Sequence, residues 1–167
     1  MEDVKPATGV TVTFTPVFND KFLFVRRQLD DPILAGYWCF PGGKVHVGET
    51  LAGAVVRECL EETNLQPTGR VFFVDSYLLG ERVGAHFAVE VAHDNVKLDE
   101  LHECAWVTHP DELAQFTPRI PGIDSHLHYI VDQLARTKDN PEFAWHHLDQ
   151  YNLVSERFRN RYPEYGA

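Results

Sequence analysis

Three glutamates, Glu58, Glu61 and Glu62, occupy positions i, i+3 and i+4 of one short stretch of the sequence. If this stretch is helical, the spacing places all three side chains on one face of the helix. Like charges at this spacing repel each other and destabilise a helix by about 0.2–0.5 kcal/mol per pair. A bound cation would remove the repulsion, and carboxylate oxygens are ligands that Mg²⁺ and Mn²⁺ prefer. The cluster therefore indicates a divalent-metal site, and the alternative is an acidic helix face in contact with water.

The helix that would position these carboxylates is predicted over residues 50–63. Thr50 is a suitable N-cap, and Asn64 tolerates the left-handed conformation that commonly ends a helix. Arg57 precedes Glu61 by one helical turn and is predicted to hold its carboxylate. Most apolar residues are predicted to form the opposite, buried side: Ala52, Val55, Val56, Cys59 and Leu60. Among the apolar residues, only Ala54 and Leu51 fall on the side of the glutamates.

Residues 43–65 resemble the Nudix box, whose pattern is G-x5-E-x7-R-E-U-x-E-E-x-G-U, where U is aliphatic. Two positions depart from it: Cys59 replaces an aliphatic residue, and Asn64 replaces glycine. The preceding run Trp-Cys-Phe-Pro-Gly-Gly-Lys, residues 38–44, is typical of the entry to that motif. The resemblance in the order of elements extends over roughly residues 10–136.

The resemblance implies a hydrolase that cleaves a nucleoside diphosphate linked to another moiety, with Mg²⁺ as the cofactor and Mn²⁺ as a substitute. The residues that it assigns to the metal site are Gly43, Glu49, Glu58, Glu61 and Glu62. Glu49 has the alternative of bracing the loop against the helix. Glu58 has the alternative of serving as the general base.

The remaining catalytic candidates follow from the same resemblance. Arg57 is expected to orient a glutamate of the box. In some family members the base lies on a later loop, and here Glu100 and Glu103 fall in that region. Glu103, three residues before Trp106, is the predicted catalytic residue of the two, and a structural loop carboxylate is its alternative.

The candidates for contact with phosphate are two glycines and three basic residues: Gly42, Gly43, Lys44, Arg26 and Arg27. Because strand side chains alternate between faces, only one of the two consecutive arginines should point towards the site. Lys44 has a surface ion pair as its alternative. The pairs His126/His128 and His146/His147 have poor spacing for a shared metal and are interpreted as structural or surface residues.

Three functions fit this pattern. The first is hydrolysis of a (deoxy)nucleoside triphosphate to monophosphate and pyrophosphate, as in MutT-like enzymes. The second is a nucleotide-sugar hydrolase of the GDP-mannose or ADP-ribose type, which residues 31–43 resemble in part. The third is a nucleotide-sensing domain without catalysis, and the intact carboxylates of the box argue against it.

The composition of the chain excludes several classes of partner and binding site. The chain has 167 residues, and its net charge of −10 argues against a nucleic-acid polymer or an anionic membrane as a partner. Three scattered cysteines favour neither a zinc site nor a disulfide framework. No apolar run is long enough to span a membrane. We therefore expect a cytoplasmic protein that acts on a small nucleotide.

The elements predict an α+β fold, and the resemblance implies an α/β/α sandwich with a mixed sheet between helices. Residues 1–137 are predicted to form the Nudix hydrolase domain. Residues 138–167 are predicted to be an aromatic-rich extension that packs on this domain or on the partner in a homodimer. Besides the box helix, the segments predicted to be regular are strands at 10–14, 22–27, 38–40, 71–78, 86–92 and 104–107 and a helix at 124–135.

Overall fold

The computed structural model describes residues 7–140 and 144–147 of the chain. Eight strands and two α-helices make up most of this part. In chain order they are β1 Ala7–Phe18, β2 Lys21–Arg26, β3 Trp38–Cys39, β4 Gly42–His46, α1 Leu51–Thr63, β5 Pro67–Leu79, β6 Arg82–Val91, β7 Glu103–Val107, α2 Ile123–Thr137 and β8 His146–His147, with a 3-10 helix Pro110–Gln115 before α2.

The strands form one mixed sheet in the order β3-β2-β1-β6-β5-β8, with β4 paired to β1 and β7 paired to β2. β1 and β6 are parallel, and the other pairs are antiparallel. The prediction of an α+β fold with a mixed sheet is therefore confirmed. Among the described residues, no helix is long and apolar enough to cross a membrane.

The two α-helices cover opposite faces of the sheet. On one face, Glu58 of α1 lies against Gly43 of β4. On the other face, His126 of α2 stacks on His86 of β6. The apolar core fills the space between the sheet and the helices, with Phe14, Phe24 and Leu127 among its fully buried side chains. Each such side chain stabilises the fold by about 1.5–3 kcal/mol relative to an exposed position.

The strand β4 was absent from the predicted elements. Its two glycines are unfavourable in strands, so the local sequence indicates a loop. Pairing with β1 overrides this preference, with Thr13 opposite Gly42 and Val12 opposite Gly43. The pairing places Gly42 and Gly43 in the sheet.

The predicted extension begins on the domain itself. Ala144 and Trp145 are buried, and the Trp145 ring meets the Phe72 ring edge-on at 4.9 Å. His146 and His147 then pair with β5. The prediction for the rest of the aromatic segment, residues 148–167, lies outside the described residues.

Candidate functional site

The helix α1 begins and ends as its sequence predicts. The Thr50 side chain accepts a hydrogen bond from the Gly53 N–H at 3.0 Å, and Asn64 ends the helix at a positive φ of 57°. The prediction of its buried side was wrong at three residues, of which Ala54, predicted on the side of the glutamates, is buried. Leu60 is 41% exposed, whereas Glu58 is buried. The face that carries the carboxylates is therefore partly covered by the rest of the protein.

The cover over Glu58 is the backbone of β4. A Cβ atom at Gly43 would overlap the Glu58 carboxylate. Only glycine leaves the space that this carboxylate occupies. Burial raises the pKa of Glu58, and the hydrogen bond from Arg57 opposes this rise.

Arg57 holds the carboxylates of the box together. Its Nε donates to Glu49 Oε1 at 2.6 Å, and its Nη1 donates to Glu58 Oε1 at 2.7 Å and to Glu61 Oε2 at 3.1 Å. Its Nη2 donates to the Lys44 carbonyl at 2.9 Å and to Glu49 Oε2 at 3.0 Å. The guanidinium thus ties α1 to β4 and to the loop between them. The hydrogen bond to Glu49 is the main cause that raises the pKa of Arg57.

Glu49 braces this loop. Besides its two bonds from Arg57, its Oε2 accepts a hydrogen bond from the His46 N–H at 2.8 Å. The hydrogen bond from Arg57 lowers the pKa of Glu49, so this carboxylate is charged at neutral pH. The geometry corresponds to the bracing alternative for Glu49.

Glu62 is the carboxylate with the most strongly raised pKa at the site. This pKa is about 7, because burial raises it most and the nearby charges of Glu58 and Glu100 raise it further. Two groups oppose this: the Gly42 N–H, which donates to Glu62 Oε2 at 3.0 Å, and the positive charge of Arg27. The negative charge on Glu62 is therefore incompletely compensated by the protein.

An acidic cleft of about 200 Å³ opens beside these side chains. Five acidic residues line it: Glu58, Glu61, Glu62, Asp99 and Glu100. Within residues 7–140 and 144–147, no three His, Cys, Asp or Glu side chains converge in a geometry that could hold a metal ion. The physical reason is that Arg57 draws Glu58 and Glu61 towards itself, while the Gly42 N–H holds Glu62. The donor set nevertheless fits a hard divalent cation, because it consists of carboxylates that repel one another.

Two predicted residues lie away from the acidic cleft. Glu103 was predicted on a loop, but it is the first residue of β7, opposite Arg26 of β2. Its Oε1 accepts a hydrogen bond from Arg26 Nη1 at 2.8 Å. Arg26 also donates to the Gly36 carbonyl at 2.9 Å. These two residues therefore form an ion pair with each other outside the acidic cleft.

The other basic candidates differ in their surroundings. Arg27 donates from Nη2 to Asp31 Oδ2 at 2.6 Å, and its charge is felt at Glu62. Burial disfavours the Arg27 charge, but Asp31 more than offsets this and the pKa of Arg27 is raised. Lys44 is exposed on β4 opposite Thr11, and its carbonyl accepts from Arg57. Arg27 is thus the arginine of the predicted pair that lies near the carboxylates.

Sequence reasoning missed a polar cluster on the other face of the sheet. The fully buried His86 meets Thr13 Oγ1 at 2.7 Å from Nδ1 and Thr15 Oγ1 at 2.8 Å from Nε2. Tyr77 OH meets Thr13 Oγ1 at 2.8 Å, and the ring of His126 stacks on His86 at 4.7 Å. We call these five residues the histidine network. The available signal was the spacing of two residues between Thr13, on the predicted strand 10–14, and Thr15, just after it.

A second, more open cleft of about 600 Å³ lies at the start of α2. Tyr37 lines one part of it, and Arg119 and Asp124 line another. Arg119 Nε donates to Asp124 Oδ1 at 2.8 Å. The backbone of Trp38 pairs with the segment at Arg119 and leads into β4. This cleft offers an aromatic ring and a charged pair to a ligand.

Comparison with known proteins agrees with this fold. Residues 7–127 match the NUDIX domain. The solved structure of the E. coli ORF135 protein has a TM-score of 0.59 and 27% identity, covering 77% of this chain and 92% of that one. A Mycobacterium tuberculosis protein, provisionally named 8-oxo-dGTP diphosphatase 2, is 39% identical over 67 residues, or 40% of this chain and 43% of that protein. The 8-oxo-dGTP diphosphatase of E. coli K12 is 44% identical over 45 residues, or 27% of this chain and 35% of that protein. The chain thus spans less than half the length of these two curated relatives.

Proposed function

Because this chain belongs to the NUDIX domain family, we propose that it is a hydrolase that cleaves the pyrophosphate bond of a nucleoside diphosphate linked to another moiety. The acidic cleft carries this proposal, because the buried Glu58 and the half-buried Glu62 line it, beside the Gly42–Gly43 backbone, together with the exposed Glu61, Asp99 and Glu100. Bare carboxylates would repel a diphosphate. A divalent cation between them turns the same carboxylates into a binding site for phosphate oxygens.

We propose Mg²⁺ as that cation, with Mn²⁺ as a substitute. Glu58, Glu61 and Glu62 would hold it together with the carbonyl of Gly43. When bound there, it polarises a phosphoryl oxygen and lowers the pKa of water. Glu49 contributes indirectly, because its carboxylate fixes the guanidinium that orients Glu58 and Glu61.

Other residues of the chain are proposed to hold the phosphates and the attacking water. Gly42 lets the backbone approach the phosphates closely, because it has no side chain. We propose that Arg27 binds a phosphate oxygen, and the effect of its charge on Glu62 supports this role. We propose Glu100 as the group that accepts a proton from the attacking water, and its position in the lining of the acidic cleft, on the segment before β7, supports this role. We prefer Glu100 to Glu103 in this role because Glu103 is paired with Arg26.

The substrate that we propose is a (deoxy)nucleoside triphosphate, cleaved to monophosphate and pyrophosphate. The names of the two curated relatives support this class. The open cleft at α2 supports it as well, since Tyr37 offers a ring for stacking, and Arg119 and Asp124 offer a donor and an acceptor to a base edge. An intact set of box carboxylates favours attack at phosphorus over attack at a sugar carbon.

The test is a panel of nucleoside triphosphates and nucleotide sugars with Mg²⁺ in ¹⁸O-labelled water. We expect label in a phosphate-bearing product and pyrophosphate release from a triphosphate. Glu62→Gln should lower turnover by roughly 10³-fold, and Glu81→Gln, at the exposed tip of the β5–β6 hairpin, is the matched control. Label only in a released sugar would contradict the proposal, and so would equal turnover by the two variants.

We propose further that the protein acts in the cytoplasm on small nucleotides. Its net charge of −10 supports this choice over a nucleic-acid polymer or an anionic membrane. A homodimer remains the proposed alternative to intramolecular packing of residues 148–167. Light scattering on the purified full chain distinguishes a mass of 19.1 kDa from twice that value.

A further inference from the structure

Gly42 and Gly43 face opposite sides of the sheet, and this connects the two polar regions of the protein. Consecutive strand residues alternate between faces. The space where Gly43 would carry a side chain holds the Glu58 carboxylate. The space beside Gly42 holds the Thr13 methyl group, 2.8 Å from the ideal Cβ position, and the Val12 carbonyl oxygen. At this point only the backbone of β4 separates the carboxylates of Glu58 and Glu62 from the histidine network.

Thr13 is held in place by two hydrogen bonds. Its Oγ1 meets Tyr77 OH at 2.8 Å and His86 Nδ1 at 2.7 Å. The two partners are themselves held, because His86 also bonds Thr15 and the Tyr77 ring packs against Gly84. With its hydroxyl directed to these partners, Thr13 presents its methyl group to Gly42. A threonine side chain has few χ1 rotamers, so these bonds select one of them.

Gly42 connects Thr13 to the acidic cleft. It lies opposite Thr13 in the β1–β4 register. Its N–H donates to Glu62 Oε2 at 3.0 Å. The backbone amide that orients Glu62 is thus packed directly on the Thr13 side chain, since no side chain of its own intervenes.

We propose that Thr13 is a positioning residue: through Gly42, the histidine network sets the orientation of the Glu62 carboxylate on the opposite face of the sheet. The importance of this orientation for catalysis rests on the proposed function. The positioning of Gly42 and Glu62 by Thr13 does not depend on it. Partners that orient a metal-binding side chain typically affect metal affinity by about 10–100-fold when they are removed. Thr13 acts one step further away, so we expect an effect of about tenfold.

The test compares Thr13→Val with Thr15→Val in the full chain. Both changes preserve side-chain shape and remove a hydroxyl bonded to His86. Thr15 is fully buried and lies beyond the β4 pairing, which ends at Thr13. Thr15→Val therefore reproduces the loss of a hydrogen bond in the network without touching the backbone of β4. Both variants should lower the Tm.

Two measurements separate a positioning role from a structural one. In the metal-free protein, Thr13→Val should shift the Gly42 amide NMR resonance and raise its hydrogen-exchange rate, whereas Thr15→Val should leave both unchanged. Binding of Mn²⁺, followed by electron paramagnetic resonance, should weaken about tenfold in Thr13→Val only. Tyr77→Phe, which removes one of the two bonds to Thr13, should produce the same changes to a smaller extent and serves if Thr13→Val does not fold.

The inference is overturned if the Gly42 amide and the Mn²⁺ affinity respond equally to the Thr13 and Thr15 substitutions, or to neither. If the wild-type protein hydrolyses no nucleotide, the proposed function fails. In that case, the NMR resonance and the hydrogen-exchange rate of the Gly42 amide in the metal-free protein still show whether Thr13 positions the backbone of β4.

Discussion

The acidic cleft and the histidine network are two polar regions on opposite faces of one sheet. They differ in how far the protein itself compensates their charges and hydrogen-bonding groups. In the histidine network, neutral groups bond one another, and burial lowers the pKa of His86 well below 6.5 so that it stays uncharged. In the acidic cleft, which five carboxylates line, Arg57 pairs with Glu58 and Glu61, and the charge of Arg27 acts on Glu62. The first region stabilises the fold without any ligand. The second keeps an excess of negative charge that a cation would relieve.

The largest expected effect is on turnover in Glu62→Gln. The substitution keeps the side-chain volume and removes the charge, so we expect hydrolysis to fall by roughly 10³-fold. Because a half-buried charge is lost, the metal-free variant should be as stable as the wild type or more so. Steady-state kinetics at saturating Mg²⁺ and a thermal melt in EDTA check both parts. A large loss of stability would show that Glu62 belongs with the structural network.

The next effect is that of Gly43→Ala. The added Cβ would overlap the Glu58 carboxylate, so either Glu58 or β4 must move. We expect turnover to fall by roughly 100-fold, as for a misplacement of about 1 Å at a catalytic site. Gly48→Ala is unsuitable as a control because Gly48 has a positive φ of 86°. Gly9→Ala is suitable, because no atom lies within 4 Å of its ideal Cβ, and it should leave turnover unchanged.

The two regions should respond to acid in opposite ways. The pKa of Glu62 is about 7 in the folded protein, above its value of about 4.3 in an unfolded chain. Its protonation therefore adds stability as the pH falls from about 7 to about 4.5. The folded pKa of His86 lies well below 6.5, so protonation of the unfolded chain removes stability as the pH falls below about 6.5. Each group changes the free energy of unfolding by at most about 1.4 kcal/mol per pH unit.

Urea unfolding in EDTA between pH 7 and pH 4.5 measures this opposition. Relative to the wild type, Glu62→Gln should lose stability more steeply towards acid, and His86→Gln should lose it less steeply. Parallel curves for the three proteins would show that neither group has the pKa stated above.

The smallest expected effect is that of Glu103→Gln. The ion pair of Glu103 with Arg26 is partly exposed, with 45% of the Glu103 side chain accessible, and such pairs contribute about 0.2–1 kcal/mol. We expect a small drop in Tm and unchanged kcat. Glu100→Gln is the comparison, and it should lower kcat by about 10²-fold. A catalytic defect in Glu103→Gln that exceeds the defect in Glu100→Gln would restore Glu103 as the base.

The sequence predicted what depends on local preferences. The limits of α1 follow from Thr50 and Asn64, and the alternation of apolar residues located most strands. Two of the errors on α1, at Leu60 and Glu58, have a tertiary cause. Gly43 of β4 leaves space for the Glu58 carboxylate to be buried, and periodicity along one helix carries no information about that space.

The parts of the site that were missed depend on pairing between distant segments. β4 exists because Val12 and Thr13 pair with two glycines some thirty residues later. The register of β7 against β2 places Glu103 opposite Arg26 and leaves Glu100 in the acidic cleft. The histidine network joins residues of β1, β5, β6 and α2. None of these pairings has a signature within a short window of sequence.

The five hydrogen bonds of Arg57 have an evolutionary consequence. A guanidinium has five N–H donors, and here five contacts use them on four residues: Lys44, Glu49, Glu58 and Glu61. A lysine has only three donors on one atom and cannot span these partners. Replacing any one carboxylate frees a donor and lets the guanidinium turn, which alters the position of the other two. Substitutions in this set should therefore be epistatic, and lineages that change one member should change another with it.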